Sequence, residues 1–310
     1  VTSRRTAANA VLLCASLLAT EGRAEKLQLY VMPDTQTWAA NQGGGTLETW
    51  RSVADALCRE RERFAMVLHT GDMVDTPRLR PEQWRNALSA MQRLDACRMP
   101  YAIAFGNHDF DDYPSPRGEM AATGDRSWSA LRAQLAHQPI EKSPTGRTGL
   151  HPLAPGWSLL AMDFRPTGSE QRWIESALSR RAGDRFVLLH HDCVNLHGIA
   201  STWCREFLER HPEIRAAISG HWLGEQRDGW QRVARASGPP LIALYQNYQH
   251  IPELAAWGAV VELDPISGGL CVWSENLLNG ALTHPAASWR GVGHVRAGPP
   301  RTCFEGAGPR

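Results

Sequence analysis

Nine short apolar runs punctuate the chain, at 27–32, 65–68, 101–105, 157–162, 185–189, 216–218, 241–245, 259–263 and 269–273. Most give way at once to polar or glycine-rich residues, as buried strands do on leaving a sheet. Between several of them apolar residues recur at helical spacing. One such stretch is 47–63, where Trp50, Val53, Ala54 and Leu57 share a face. Another is 81–94, which opens on a proline suited to the first helical turn; 169–180 and 202–211 are two more. Strands alternating with helices at first, then strands in succession, predict an α/β layered domain whose second half is more antiparallel. The stretches 114–124 and 141–149 read as loops, and no internal repeat is visible.

Composition adds bounds. With 310 residues, 43% hydrophobic and 21% charged, the chain is long enough for a sizeable core and is neither disordered nor collagen-like. A formal charge of +1 gives no sign of nucleic-acid binding. Residues 1–24 read as a signal peptide: Arg4 and Arg5, a short apolar run from Ala10 to Ala19, then Gly22 and Ala24 before the cut. That run is too short to span a bilayer, and no later segment is long enough, so no stable membrane anchor is expected. Valine at position 1 fits a bacterial GTG start, and the expected location is periplasmic or secreted. Six cysteines remain after the leader (Cys58, Cys97, Cys193, Cys204, Cys271 and Cys303), an even number that permits disulfides without fixing their pairing. Residues 25–285 form the expected domain. Residues 286–310, rich in Gly, Pro and Arg, read as a tail or a peripheral strap.

The chemistry lies at the strand ends. Asp34 and Gln36 follow the first run, Asp72 and Asp75 the second, and Asn107, His108 and Asp109 the third. His190 and His191 follow the run at 185–189, and His221 the run at 216–218. In α/β sheets ligands gather beyond the carboxyl ends of strands. Oxygen and imidazole donors placed there suit Mn, Fe or Zn. Any one of these residues alone would read as a turn, a cap or a surface histidine; their joint order carries the signal. A serine hydrolase lacks its Gly-x-Ser-x-Gly elbow here, and Gly43-Gly44-Gly45 lacks the ending of a phosphate loop. That glycine run reads as a mobile loop near Asp34. Of the twelve tryptophans, Trp38, Trp84, Trp222 and Trp230 are candidates for a substrate groove, with core packing the plainer reading.

Asp34-Thr35-Gln36, Gly71-Asp72-Met73-Val74-Asp75, Gly106-Asn107-His108-Asp109, His190-His191 and Gly220-His221, in that order, resemble the calcineurin-like metallophosphoesterase superfamily over roughly residues 27 to 275. The Pro33-Asp34-Thr35-Gln36 start is similar to a bacterial branch with glutamine in place of the usual histidine. The resemblance implies a four-layer α-β-β-α sandwich of two mixed sheets flanked by helices. It also implies two divalent metal ions (Mn, Fe or Zn) and hydrolysis of a phosphate mono- or diester by a metal-bound water or hydroxide. On that resemblance Asp72 bridges both metals, Asp34 and Gln36 face the first, and Asn107, one of His190 and His191, and His221 face the second. The leaning within the pair is slightly to His191. His108 sits beside the substrate as catalytic residue, with Asp109 orienting it.

One position departs from the pattern. The superfamily ends this run with Gly-His-x-His, whereas here Gly220-His221-Trp222-Leu223 has leucine in the last place. The first metal is therefore expected to bind weakly or not at all unless Glu225, His250 or His197 fills in. The same departure motivates an alternative, a catalytically impaired metal- or phosphate-ligand-binding protein on the same scaffold. The expected partner is a small or macromolecular phosphate ester.

Overall fold

Two sheets account for most of the described strands, and their apolar content explains why they stack. The computed structural model describes residues 26–77, 79–110, 141–222, 228–251, 254–282, 287–289, 293–295 and 301–305. The expected leader, the loop at 114–124, Leu223 and Glu225 lie outside the described residues. The first sheet holds β1 (Leu27–Met32), β2 (Phe64–His69), β3 (Tyr101–Ile103), β13 (Trp257–Leu263), β14 (Leu270–Asn276) and β17 (Thr302–Phe304), in the order β17-β14-β13-β1-β2-β3. The second holds β4 (Glu141–Lys142), β5 (Gly149–Ala154), β6 (Trp157–Ala161), β7 (Arg185–Leu189), β10 (Ile214–Ser219), β11 (Asp228–Val233) and β12 (Leu241–Gln246), in the order β11-β12-β10-β7-β6-β5-β4. Two small hairpins, β8 (Val194–Asn195) with β9 (Gly198–Ile199) and β15 (Ala287–Trp289) with β16 (Gly293–Val295), complete the strands.

Both sheets are mixed. β1, β2 and β3 run parallel, as do β6, β7, β10 and β12, while β13, β14, β17, β11, β5 and β4 join antiparallel. The central strands are buried on both faces and so read as unbroken apolar runs. In β1, Leu29 and Val31 enter the core between the sheets with Leu159, Leu189, Ile218 and Leu244. Tyr30 and Met32 face the opposite way, towards helices α2 (Leu47–Arg59) and α3 (Glu82–Ala96) through Trp50 and Trp84. On the far side α4 (Gly168–Arg180) and α5 (Thr202–Arg210) cover the second sheet with Ile174, Leu178, Phe207 and Leu208. The layers are thus helix, sheet, sheet, helix, as expected. Local signals start the helices: Thr46 and Thr167 close capping boxes with Thr49 and Glu170, and Ser201 accepts from Cys204 N. A short helix, α1 (Gln36–Ala39), follows β1.

Four strands of the two large sheets, β4, β5, β11 and β17, escaped the sequence pattern, as did the two hairpins. The expected loop at 141–149 contains β4 and the start of β5. Pro152 masked β5, yet it sits beyond the reach of β4, which pairs only with Leu150 and Gly149, so its missing N–H costs no ladder bond there. β11 is an edge strand with only Trp230 turned into the core between the sheets, too polar to register as an apolar run. Near its end the chain returns to the first sheet as β17, where Cys303 faces Cys271 across the ladder in a disulfide. Cys58–Cys97 joins α2 to the end of α3, and Cys193–Cys204 joins the segment after His191 to α5.

Candidate active site

Because β1, β2, β3, β7, β10 and β12 all point one way within their sheets, the segments that leave them converge at one rim of the sandwich. Asp72 sits there in a left-handed conformation (φ 47°) just after Gly71 (φ 108°). Its Oδ1 accepts from His108 N at 2.9 Å, and its Oδ2 lies 3.2 Å from His191 Nε2. A side chain at Gly106 would collide with Asp72 Oδ1, and one at Gly220 with Asp34 Oδ1. Glycine at those places lets two loops approach the carboxylates.

His191 is the hub. Its Nδ1 donates to the carbonyl of Thr70 at 2.8 Å, which turns Nε2 towards the centre. Around that nitrogen stand Asn107 Oδ1 at 3.1 Å, His221 Nδ1 at 3.1 Å and Asp72 Oδ2 at 3.2 Å. Asp72, His191 and His221 offer ligand atoms within 4.8 Å of one another, close enough to share one ion. His190 points elsewhere. Strand side chains alternate. Leu189 faces the core between the sheets and Leu188 the helices, so His191 falls on the inner side and His190 on the helical side. His190 Nδ1 lies 3.2 Å from Asp192 Oδ1, and its ring packs against Trp203. Cys193 and Cys204 lie near it but are bonded to each other.

Asp34 stands on the other side of Asp72. Its Oδ1 accepts from Thr70 Oγ1 at 2.7 Å, and its Oδ2 from His221 N at 2.8 Å and Asn247 Nδ2 at 3.1 Å. Gln36 is buried, its Nε2 donates to Gln249 Oε1 at 2.5 Å, and its Oε1 is buried with no hydrogen-bond partner. A buried amide oxygen left unpaired is costly, and a cation would satisfy it. Asn247 and Gln249 are residues the sequence reading missed, although the strand-end rule applied to the run at 241–245 leads straight to them. The Gly43–Gly45 loop packs on the same segment, through a hydrogen bond from Gly44 N to Gln249 O at 3.2 Å.

A second missed residue is His69. Gly71 N donates to its Nδ1 at 3.1 Å, which leaves Nε2–H to donate to Thr35 Oγ1 at 3.0 Å. This buried imidazole ties the Asp34 loop to the Asp72 loop, and its burial, followed by the His191 charge, pulls its pKa down to about 3. Asp109 does not touch the His108 ring through any described hydrogen bond. It accepts from Met73 N at 2.8 Å, Val74 N at 3.3 Å and Gly106 N at 2.9 Å, clasping the loop of Asp72 to that of Asn107. The ring of His108 is held instead by Asp75, whose carbonyl accepts from Nδ1 at 2.8 Å.

The electrostatics ask for positive charge. Burial works against an imidazolium at His191, but Asp72 and Asp34 outweigh it and raise its pKa to about 10. Burial and then the neighbouring Asp72 raise Asp34 to about 6, against the pull of His191. Asp72 is held down at about 2, its burial overcome chiefly by His191. His221 is lowered to about 4 by burial and by the charge on His191. Two buried carboxylates thus face two imidazoles and draw positive charge towards them, a donor set that fits divalent metal ions. His108 rises to about 9, because the Asp75 hydrogen bond and the Asp72 and Asp75 charges overcome its burial.

The remaining candidates fall at the margins. Among the tryptophans considered, Trp38 and Trp84 are core residues, Trp230 is partly buried, and Trp222 is 37% exposed with its ring 5.1 Å from that of His221. The His250 ring stands beside Gly43 and feels the charges of Asp75 and His108. His197 lies in the turn between β8 and β9, where its N–H donates to Asn195.

Residues 27–225 match the calcineurin-like phosphoesterase family. No curated protein matches the chain in sequence. Among solved structures, purple acid phosphatase PPD1 from yellow lupin (Lupinus luteus) seeds is similar with a TM-score of 0.59 at 13% identity, over 84% of this chain and 53% of that one. This chain therefore spans about half the length of that phosphatase. A dimetal phosphatase from Danio rerio is similar with a TM-score of 0.54 at 17% identity, over 81% of this chain and 96% of that one.

Proposed function

The chain belongs to the calcineurin-like phosphoesterase family, and we propose that it hydrolyses a phosphate mono- or diester at the rim where Asp34, Asp72, His108, His191 and His221 meet, as a member of the branch whose first motif reads Pro-Asp-Thr-Gln. The carrying observation is the convergence of Asp72, Asn107 and His221 within 3.2 Å of one nitrogen of His191. No packing need explains four such side chains brought together in a buried place. Asp72, Asn107, His191 and His221 would hold one divalent ion; Asp34, Gln36 and again Asp72 would hold a second. Mn, Fe and Zn all suit this mixture of oxygen and imidazole. When bound, such ions polarise a phosphoryl group and lower the pKa of an attacking water.

The side chains do the rest. Thr70 fixes which nitrogen of His191 faces the centre, and Asn247 and Thr70 fix the rotamer of Asp34. Asp75 holds Nδ1 of His108, so Nε2 is the atom placed to give a proton to the leaving oxygen. Asp109 positions both loops without touching the substrate. Trp222, at the edge of His221, offers an apolar wall for the leaving group.

We also propose that the protein is bacterial and exported to the periplasm or secreted. All six cysteines beyond position 24 are paired, which suits an oxidising compartment.

The test is hydrolysis of p-nitrophenyl phosphate and bis-p-nitrophenyl phosphate by the purified chain across a manganese titration, with His108→Ala alongside. Saturable, manganese-dependent turnover that falls about 10²–10⁴-fold in the variant is expected. No turnover of either ester at any manganese level, or an unchanged variant, contradicts the proposal.

A further inference from the structure

The opposite end of the sandwich carries a cavity of about 230 Å³. It opens at the amino-terminal ends of β10 and β12, whose carboxyl ends carry His221 and Asn247, so the six residues of β10 separate it from the active site by roughly 20 Å. Its floor is the mouth of the core between the sheets. Ile242 comes from β12, and Leu270 and Phe304 from β14 and β17, where the two residues pair directly. The Cys271–Cys303 disulfide, one residue along the same two strands, fixes that wall.

Two arginines line this apolar floor. Arg232 lies opposite Ile242 in the ladder, on the same face of β11 as Trp230, which packs half-buried against the core between the sheets, so that gap ends in a guanidinium rather than an aliphatic side chain. Arg215, at the start of β10, is the second. A third, Arg185, packs over Gly268 on the cavity wall, close enough that a Cβ there would stand 2.6 Å from its guanidinium. One acid, Glu305, is present among the described lining residues. The Pro239 wall is braced by Arg235, which donates to Pro239 O at 2.6 and 2.8 Å and to Pro212 O at 3.0 Å. Burial and then the charge of Arg215 hold Arg235 below its usual pKa.

We propose that this cavity is a binding site for a small organic anion with a short apolar tail, its carboxylate held by Arg215 and Arg232 and its tail lying on Ile242, Leu270 and Phe304. Charge, shape and lining agree. Guanidinium groups recognise a planar carboxylate with two parallel hydrogen bonds. The volume admits roughly eight non-hydrogen atoms, at the ~30 Å³ that each water occupies in liquid. Pockets of this kind combine an apolar lining with a few convergent polar groups. The site needs neither metal nor turnover and so stands apart from the hydrolytic reading.

Hexanoate is a fitting probe. It is titrated into the full chain by calorimetry with EDTA present, so that cations in the active site play no part, and hexanol and acetate serve as the uncharged and tail-less controls. Saturable one-to-one binding with a Kd of about 1 mM or below is expected for hexanoate. Binding at least about tenfold weaker is expected for hexanol, for acetate, and for hexanoate with the Arg232→Gln or Arg215→Gln variants. Arg232 is exposed on an edge strand, so its variant keeps the test valid even where Arg215→Gln fails to fold. Absence of saturation by about 10 mM hexanoate, equal binding of hexanol, or unchanged binding by Arg232→Gln overturns the proposal.

Discussion

On one side of Asp72 stand two imidazoles and an amide oxygen, all within reach of a single point. On the other stand the Asp34 carboxylate and an amide-rich group of Gln36, Asn247 and Gln249. Both sides are built from strand ends and both are buried, yet their donors differ in kind. Imidazoles raise affinity for transition metals, whereas a neutral amide oxygen adds little charge and binds weakly. The difference teaches that one centre can be asymmetric by construction: on the proposed reading the imidazole half would anchor its ion tightly and the amide half would exchange its ion. The backbone supports agree with this division. His191 is locked by the Thr70 carbonyl, while Gln36 is steadied by one side-chain amide.

The comparison breaks most completely at its shared member. On the proposed reading Asp72→Ala removes a carboxylate that both halves would use, and His191→Ala removes the hub of the imidazole half. Each is expected to lower kcat by about 10³-fold or more with the fold intact by circular dichroism. An active Asp72→Ala chain would show that the rim is not the site. A sharper cut comes from Gln36→Ala or Gln249→Ala. Each is expected to weaken one metal equivalent by about 10–100-fold in equilibrium dialysis and to leave the other alone. Excess manganese then restores turnover in these variants and fails to do so in His191→Ala.

His69 tests whether the halves are mechanically joined. His69→Phe deletes the bonds to Thr35 and Gly71 and is expected to cost about 1–3 kcal/mol in denaturant unfolding. Metal affinity should drop on both sides at once; loss confined to one side would show that the tie is local.

The smallest effect lies away from the rim. His211 is half of a clamp between α5 and α4, with Glu213 at 3.1 Å and Glu175 at 3.2 Å. Burial opposes the charged ring, but both carboxylates together raise its pKa. A raised histidine stabilises the fold fully below its unfolded pKa, and that contribution is lost as pH rises through the folded value. With Glu175 half exposed, the contribution is under about 1 kcal/mol. His211→Gln should flatten this part of the stability–pH curve and leave kcat unchanged.

Much of the candidate site was legible because its side chains sit where strands end. The residues at 34, 36, 72, 107, 108, 191 and 221 each follow an apolar run, and alternation alone would have separated His191 from His190 once Leu189 was known to face the core between the sheets. What stayed hidden depends on contacts distant in sequence. Gln249 reaches Gln36 across 213 positions, which no local pattern reports. The role of Asp109 was masked because its partners are backbone amides, invisible as residue types. β11 and β5 were lost for a physical reason: an edge strand need not be apolar on both faces, and Pro152 is tolerated beyond the end of β4. Disulfide pairing was closed to the sequence because it rests on the ladder that sets Cys271 opposite Cys303 and on the packing of α2 against α3.

The central claim is an asymmetric two-ion centre, and its most direct measurement is a competitive manganese titration of the parent, His191→Ala and Gln36→Ala against a chelator of known affinity. The account predicts two unequal equivalents in the parent, loss of the tight one in His191→Ala and of the weak one in Gln36→Ala. Two equal equivalents, or a His191→Ala chain that keeps the tight one, would contradict it.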